Sequence, residues 1–120
     1  MKLTKGAIIF YTNFMPDKFA ACAKFFVIRI RPQYKDDARL PGLMAHELEH
    51  VKQAWKGALL GHQLYYTFNK KYRMKCEIAA YKEQMKHYDY DVSPIFAKFL
   101  ATKYNLRITE FEAEQALRKE

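Results

Sequence analysis

The chain has 120 residues, half of them hydrophobic and 16% aromatic, a composition that excludes a disordered or low-complexity chain. Its length predicts one domain over residues 1–120, with a real core and without a separate propeptide or regulatory domain. A formal charge of +8 and a pI near 9.5 admit an anionic partner such as nucleic acid. The lysines are scattered and no nucleic-acid motif accompanies them, so the basic residues read first as a solvated surface.

The first residues bear comparison with an export leader. Met1 to Lys5 is basic, Gly6 to Tyr11 is apolar, and Phe19 to Cys22 (FAAC) has the look of a lipoprotein cleavage box. A leader needs an apolar core of about 7 to 15 residues, and Asn13, Pro16, Asp17 and Lys18 interrupt this one. No run approaches the roughly 20 apolar residues of a membrane span. The expectation is a soluble protein of the cytoplasm. Two cysteines, Cys22 and Cys76, are too few for a disulfide scaffold and neither belongs to a CxxC pair, so Cys76 reads as a buried structural thiol.

In chain order, Gly6 to Thr12 (GAIIFYT) is β-branched and aromatic and predicts a strand that Pro16 closes off. Asp17 to Lys24 predicts a short helical turn. Phe25 to Arg31 (FFVIRIR) is the clearest strand, with Ile28 and Ile30 on one face and Arg29 and Arg31 on the other. As an edge strand it would present its backbone to an extended peptide; the alternative is simply a sheet strand that covers the helix. After the connector Gln33 to Leu40, Pro41 opens a helix that Gly57 or Gly61 ends. Further helices are predicted over 64–88, 93–104 and 109–119, the second of these capped by Ser93 and Pro94 and the last exposed and acidic. The whole predicts an α+β fold: a short N-terminal β-sheet packed on the first helix, followed by more helices.

That first helix carries AHELEHVKQAW, in which His46, Glu47 and His50 form HExxH. Residues four apart on a helix stand one turn above each other with Cβ atoms about 5 to 6 Å apart, so two imidazoles can converge on one metal ion. Zn²⁺ accepts imidazole nitrogen and, in catalytic sites, keeps one position open for water. The adjacent carboxylate, Glu47, is placed to take a proton from that water. Met44, Leu48, Val51 and Trp55 form an apolar stripe opposite His46, His50 and Gln53. A surface helix with two solvated histidines would carry the same letters, and what separates the two readings is a third ligand. Glu77 in RMKCEIAAYKEQ is the candidate, followed by small Ala80, which would let the two helices approach closely. The alternative role for Glu77 is an i,i+4 ion pair with Arg73, worth a few tenths of a kcal/mol. Glu83, His62 and His87 are reserve ligands.

HELEH with Val51 and Gln53, then Glu77 and Ala80 one helix later, resembles the zincin metallopeptidases of the gluzincin type, in particular the very small single-domain versions of phage and bacterial genomes. The resemblance spans roughly Phe25 to Gln84. It implies a minimal zincin-like fold, Zn²⁺ held by His46, His50 and Glu77, Glu47 as general base, and hydrolysis of a peptide or protein substrate. It also implies a group that orients a ligand histidine and a His or Tyr that stabilises the oxyanion. This chain has Tyr81 where larger gluzincins often carry an orienting aspartate, and His87, Tyr88 and Tyr90, with Tyr65 and Tyr66 upstream, as oxyanion candidates. The alternative is a basic binding protein or virion component that keeps the shell without turnover; a closed structural zinc site is a third.

Overall fold

The computed structural model describes residues 2–119; Met1, which opens the basic stretch compared with a leader, lies outside them. The fold is α+β, a four-stranded mixed sheet followed by five helices. Strands β1 (Lys2–Thr4) and β2 (Ala7–Tyr11) form a hairpin. Its turn residues Lys5 and Gly6 both have positive φ (47° and 77°), the tight two-residue geometry that matches strand twist. Strands β3 (Ala21–Lys24) and β4 (Val27–Ile30) follow, and the sheet order is β1-β2-β4-β3. β4 runs parallel to β2 and antiparallel to β3.

One sequence expectation changes here and one open alternative is settled. Asp17 to Lys24 is no helical turn: its second half is strand β3, whose Ala21 to Lys24 register against Ile30 to Val27. The strand around Ile28 is therefore internal, and β3 is the edge next to the helices. Ile28 and Ile30 are fully buried, as their alternation predicts. On the other face Arg31 donates to the carbonyls of Phe19 (2.8 Å) and Pro16 (2.9 Å), and Arg29 to that of Phe14 (2.7 Å), fastening the 13–20 connection across the sheet end.

Helix α1 (Leu40–Lys56) begins with Pro41 in its first turn and ends at Gly57. Its Val51, Met44 and Leu48 pack on Ile9, Ile28 and Ile30 of the sheet. Trp55, the fourth member of that stripe, stays half exposed, stacks on Phe26 and donates to the Gly6 carbonyl at 3.0 Å. The turn after α1 is tight: a Cβ on Gly57 would stand 2.8 Å from His62 Cβ, so only glycine lets the next helix fold back.

The long helix expected over 64–88 is two helices, α2 (Leu60–Phe68) and α3 (Lys70–Met85). Asn69 breaks them apart, in extended conformation, its side chain accepting from the Tyr72 amide at 3.0 Å as the N-cap of α3. Arg73 then staples the junction. It donates to the carbonyls of Tyr66 (2.8 Å) and Thr67 (3.0 Å) at the end of α2, and to those of Tyr104 (2.9 Å) and Asn105 (3.3 Å). Helices α4 (Ser93–Lys103) and α5 (Glu110–Arg118) close a second core with α3, built on Tyr81, Phe96, Leu100, Leu106 and Leu117. Thr109 and Glu112 cap α5 reciprocally. No helix of the described residues is long and apolar enough to cross a membrane.

Candidate metal centre

The centre lies where α1 packs on α3, between the sheet core and the helical core. Ala80 on α3, three residues on from Glu77, is fully buried, as a small residue on a packed helix face would be. His46 and His50, one turn apart on α1, bring their Nε2 atoms to 3.2 Å of each other. From α3, Glu77 Oε1 stands 3.1 Å from His50 Nε2 and 3.3 Å from His46 Nε2. Three ligand atoms of a tetrahedral ion bonded at about 2.0 to 2.1 Å are spaced at about 3.3 Å, so the triangle has the size that such an ion requires. Glu47 completes a second grouping: one ligand atom each from His46, Glu47 and His50 falls within 4.8 Å of the others.

The atoms behind the triangle fix two of its corners. Gln53 turns its amide nitrogen toward the Cys76 carbonyl (3.1 Å) and Glu49 (3.3 Å), which leaves its oxygen to accept from His50 Nδ1 at 3.0 Å. His50 thereby presents an unprotonated Nε2 when neutral. Tyr66, on α2, donates its hydroxyl to Glu77 Oε2 and leaves Oε1 for the histidines. The third corner is different. His46 Nδ1 is buried without a hydrogen-bond partner, and its ring is held by edge packing on Tyr81, centroids 4.4 Å apart. Tyr81 spends its hydroxyl on Tyr104, at 2.7 Å, so it positions the imidazole by contact and not by a hydrogen bond.

The charges follow from burial. Glu47, Glu77, His46 and His50 are all buried. Burial raises the Glu47 carboxyl above its usual range, Glu77 adding to the rise and the two histidines opposing it. At Glu77 burial acts the same way but is outweighed by His50 and His46, which hold the carboxyl well below its ordinary value. At His50 burial pulls down and Glu77 pulls up more strongly, to about 9. The two form an ion pair across the helix interface. Two imidazoles and one carboxylate at this spacing are a donor set that would suit a divalent ion such as zinc, which would take the place of that proton.

Two cavities, about 520 and about 310 Å³, meet at the centre, and both are lined by Phe19, Ala21, His46, Glu47 and Tyr104. The larger runs toward Tyr88, Phe96 and Phe99, the smaller along Cys22, Ala23 and Lys24 to His62 and Tyr66. The edge strand β3 thus borders a groove that reaches Glu47 from either side.

The sequence candidates divide accordingly. His46, Glu47, His50 and Glu77 come together. Tyr88 lines the larger cavity together with His46 and Glu47. His87 does not join: it is exposed and, with Glu83 and Lys86, lines a separate hollow of about 420 Å³ bordered by Leu48 and Lys52. Glu83 is paired with Lys86 on the surface. Tyr90 lines the larger cavity, while Tyr65 is exposed on α2. Reserve His62 is buried beside the smaller cavity, its Nδ1 2.8 Å from the Tyr72 hydroxyl. The Arg73–Glu77 ion pair is absent, because Arg73 is committed to backbone carbonyls. Sequence reasoning gave no supporting role to Gln53, although its i+3 spacing from His50 was a usable signal, nor singled out Tyr66 as the partner of Glu77. No known family model matches this chain, and no curated protein or solved structure does.

Proposed function

We propose that this chain is a zinc-dependent metallopeptidase of the zincin, gluzincin-type class, with His46, His50 and Glu77 as metal ligands and Glu47 as general base. The observation that carries the reading is the triangle of two Nε2 atoms and one Oε1, all within 3.3 Å, with the Glu47 carboxylate beside it. When bound, zinc supplies a Lewis acid that brings the pKa of a water to about 7 and polarises a carbonyl.

The chain's own residues account for the rest. Glu47 accepts the proton of the attacking water and delivers it to the leaving amine; its burial-raised pKa suits both halves of that transfer. Gln53 and Tyr66 hold two ligands in register. The groove along β3 offers an extended peptide the free backbone edge of the sheet, with the bond to be cut lying over Glu47.

A non-hydrolytic binding protein that keeps this shell is the second reading, and the depth of the centre favours it: Glu47 is 5% and His46 4% exposed. The separating experiment is Glu47→Gln against a peptide library. Under the peptidase reading zinc stays bound and cleavage falls by a factor of about 10² to 10⁴. Parent protein that holds zinc yet cleaves nothing, while binding DNA or RNA with steep salt dependence, contradicts it.

A further inference from the structure

Helix α2 is amphipathic in the opposite sense to a core helix. His62 and Tyr66, one turn apart, face inward to the smaller cavity and Glu77. At 100° per residue Leu60, Leu64 and Phe68 fall on the opposite side, and they are 62%, 52% and 81% exposed. Tyr65, flanking that stripe, is 63% exposed. A helix of a water-soluble domain normally turns such a stripe inward.

The stretch of chain that carries the stripe is one-sided in charge. Residues 50–76 contain six basic side chains and no acidic one. Lys56 precedes the helix and Lys70 and Lys71 follow it, all exposed. This charge argues against a second copy of the chain as the occupant, since two such faces would bring like charges together. The choice of cation argues against a protein partner. Lysine is depleted at protein interfaces, whereas lysines flanking an exposed Leu/Tyr/Phe ridge are what an anionic bilayer surface attracts, the ridge entering the headgroup region and the ammonium groups staying at the phosphates.

We propose that α2 is a membrane-docking element that seats the protein on anionic phospholipid, with Leu60, Leu64, Tyr65 and Phe68 as the inserted ridge and Lys56, Lys70 and Lys71 as its electrostatic partners. The seat does not require turnover at the metal centre. It places the lipid surface on the far side of the helix that carries His62 and Tyr66.

The test is co-sedimentation of the full chain with phosphatidylcholine vesicles, with and without about 30% phosphatidylglycerol, at low salt. The parent is expected to sediment with the anionic vesicles only. The double variant Leu64→Ser, Phe68→Ser should lose at least about tenfold in affinity while keeping its circular dichroism spectrum. Phe111→Ser, at an equally exposed site on α5, and Glu47→Gln should bind like the parent. Binding that salt abolishes and the double variant retains would overturn the proposal, leaving only non-specific attraction of a basic protein. Absence of sedimentation with anionic vesicles, or a parent dimer that the double variant converts to monomer, would equally overturn it.

Discussion

The hydroxyl of Tyr66 is hydrogen-bonded to Oε2 of Glu77, while Oε1 of the same carboxylate faces His46 and His50. One carboxylate is thus divided between a holder on α2 and the two histidines of α1. Burial and the neighbouring Glu77 raise the Tyr66 phenol well above its normal pKa, so it remains a donor across the accessible pH range.

That division separates two tyrosines experimentally. Under the proposed metal site, Tyr66→Phe removes the hydrogen bond that would orient Glu77 as a ligand and should weaken zinc binding about 10- to 100-fold. Tyr81→Phe keeps the ring against His46 and loses only the bond to Tyr104, so zinc affinity should stay near the parent value. Competition with a chromogenic chelator measures both. Equal losses in the two variants would mean that the hydroxyl of Tyr81 also orients a ligand.

Ile28 and Ile30 announced β4 because alternation survives any context, and HExxH with an apolar back announced α1. Strand β3 was illegible because Ala21, Cys22 and Ala23 have no strong strand preference; pairing with β4 makes them a strand. The two-residue turn at Lys5 and Gly6 hid β1. The break at Asn69 lay inside a helical pattern, and only the side-chain cap on Tyr72 reveals it. Tyr66 therefore could not be tied to Glu77 from sequence: their contact requires α2 to turn back on α3, which the break permits. Glu77 itself was legible, since small Ala80 one turn on predicts a close helix pair.

Arg73 is the staple of that turn-back, with four backbone carbonyls as acceptors. Arg73→Ala leaves them without their charged donor and should cost roughly 2 kcal/mol of stability. Urea denaturation reads the loss directly. A change under about 0.5 kcal/mol would mean that water replaces the guanidinium at little cost.

Asp91 links the two C-terminal helices. Its carboxylate accepts from the Ser93 hydroxyl and amide at the start of α4, and from Arg118 at the end of α5. The Ser93 hydroxyl first, then its amide and Arg118, lower the Asp91 pKa to about 2. With a folded value below the unfolded one of about 3.9, the stabilisation is complete above that pH and is lost as pH falls toward 2. The stability difference between the parent and Asp91→Ala should accordingly shrink between about pH 5 and pH 2, as urea midpoints will show. A difference that is constant over this range would contradict the assignment.

The most direct test of the central claim is elemental analysis of zinc in protein purified without added metal, then offered zinc at neutral pH, for the parent and for His46→Ala. The metal-centre account predicts about one zinc per chain in the parent and loss of that zinc in the variant. A parent that takes up no zinc under these conditions would contradict it and leave the HExxH helix as an ion-paired element of the fold.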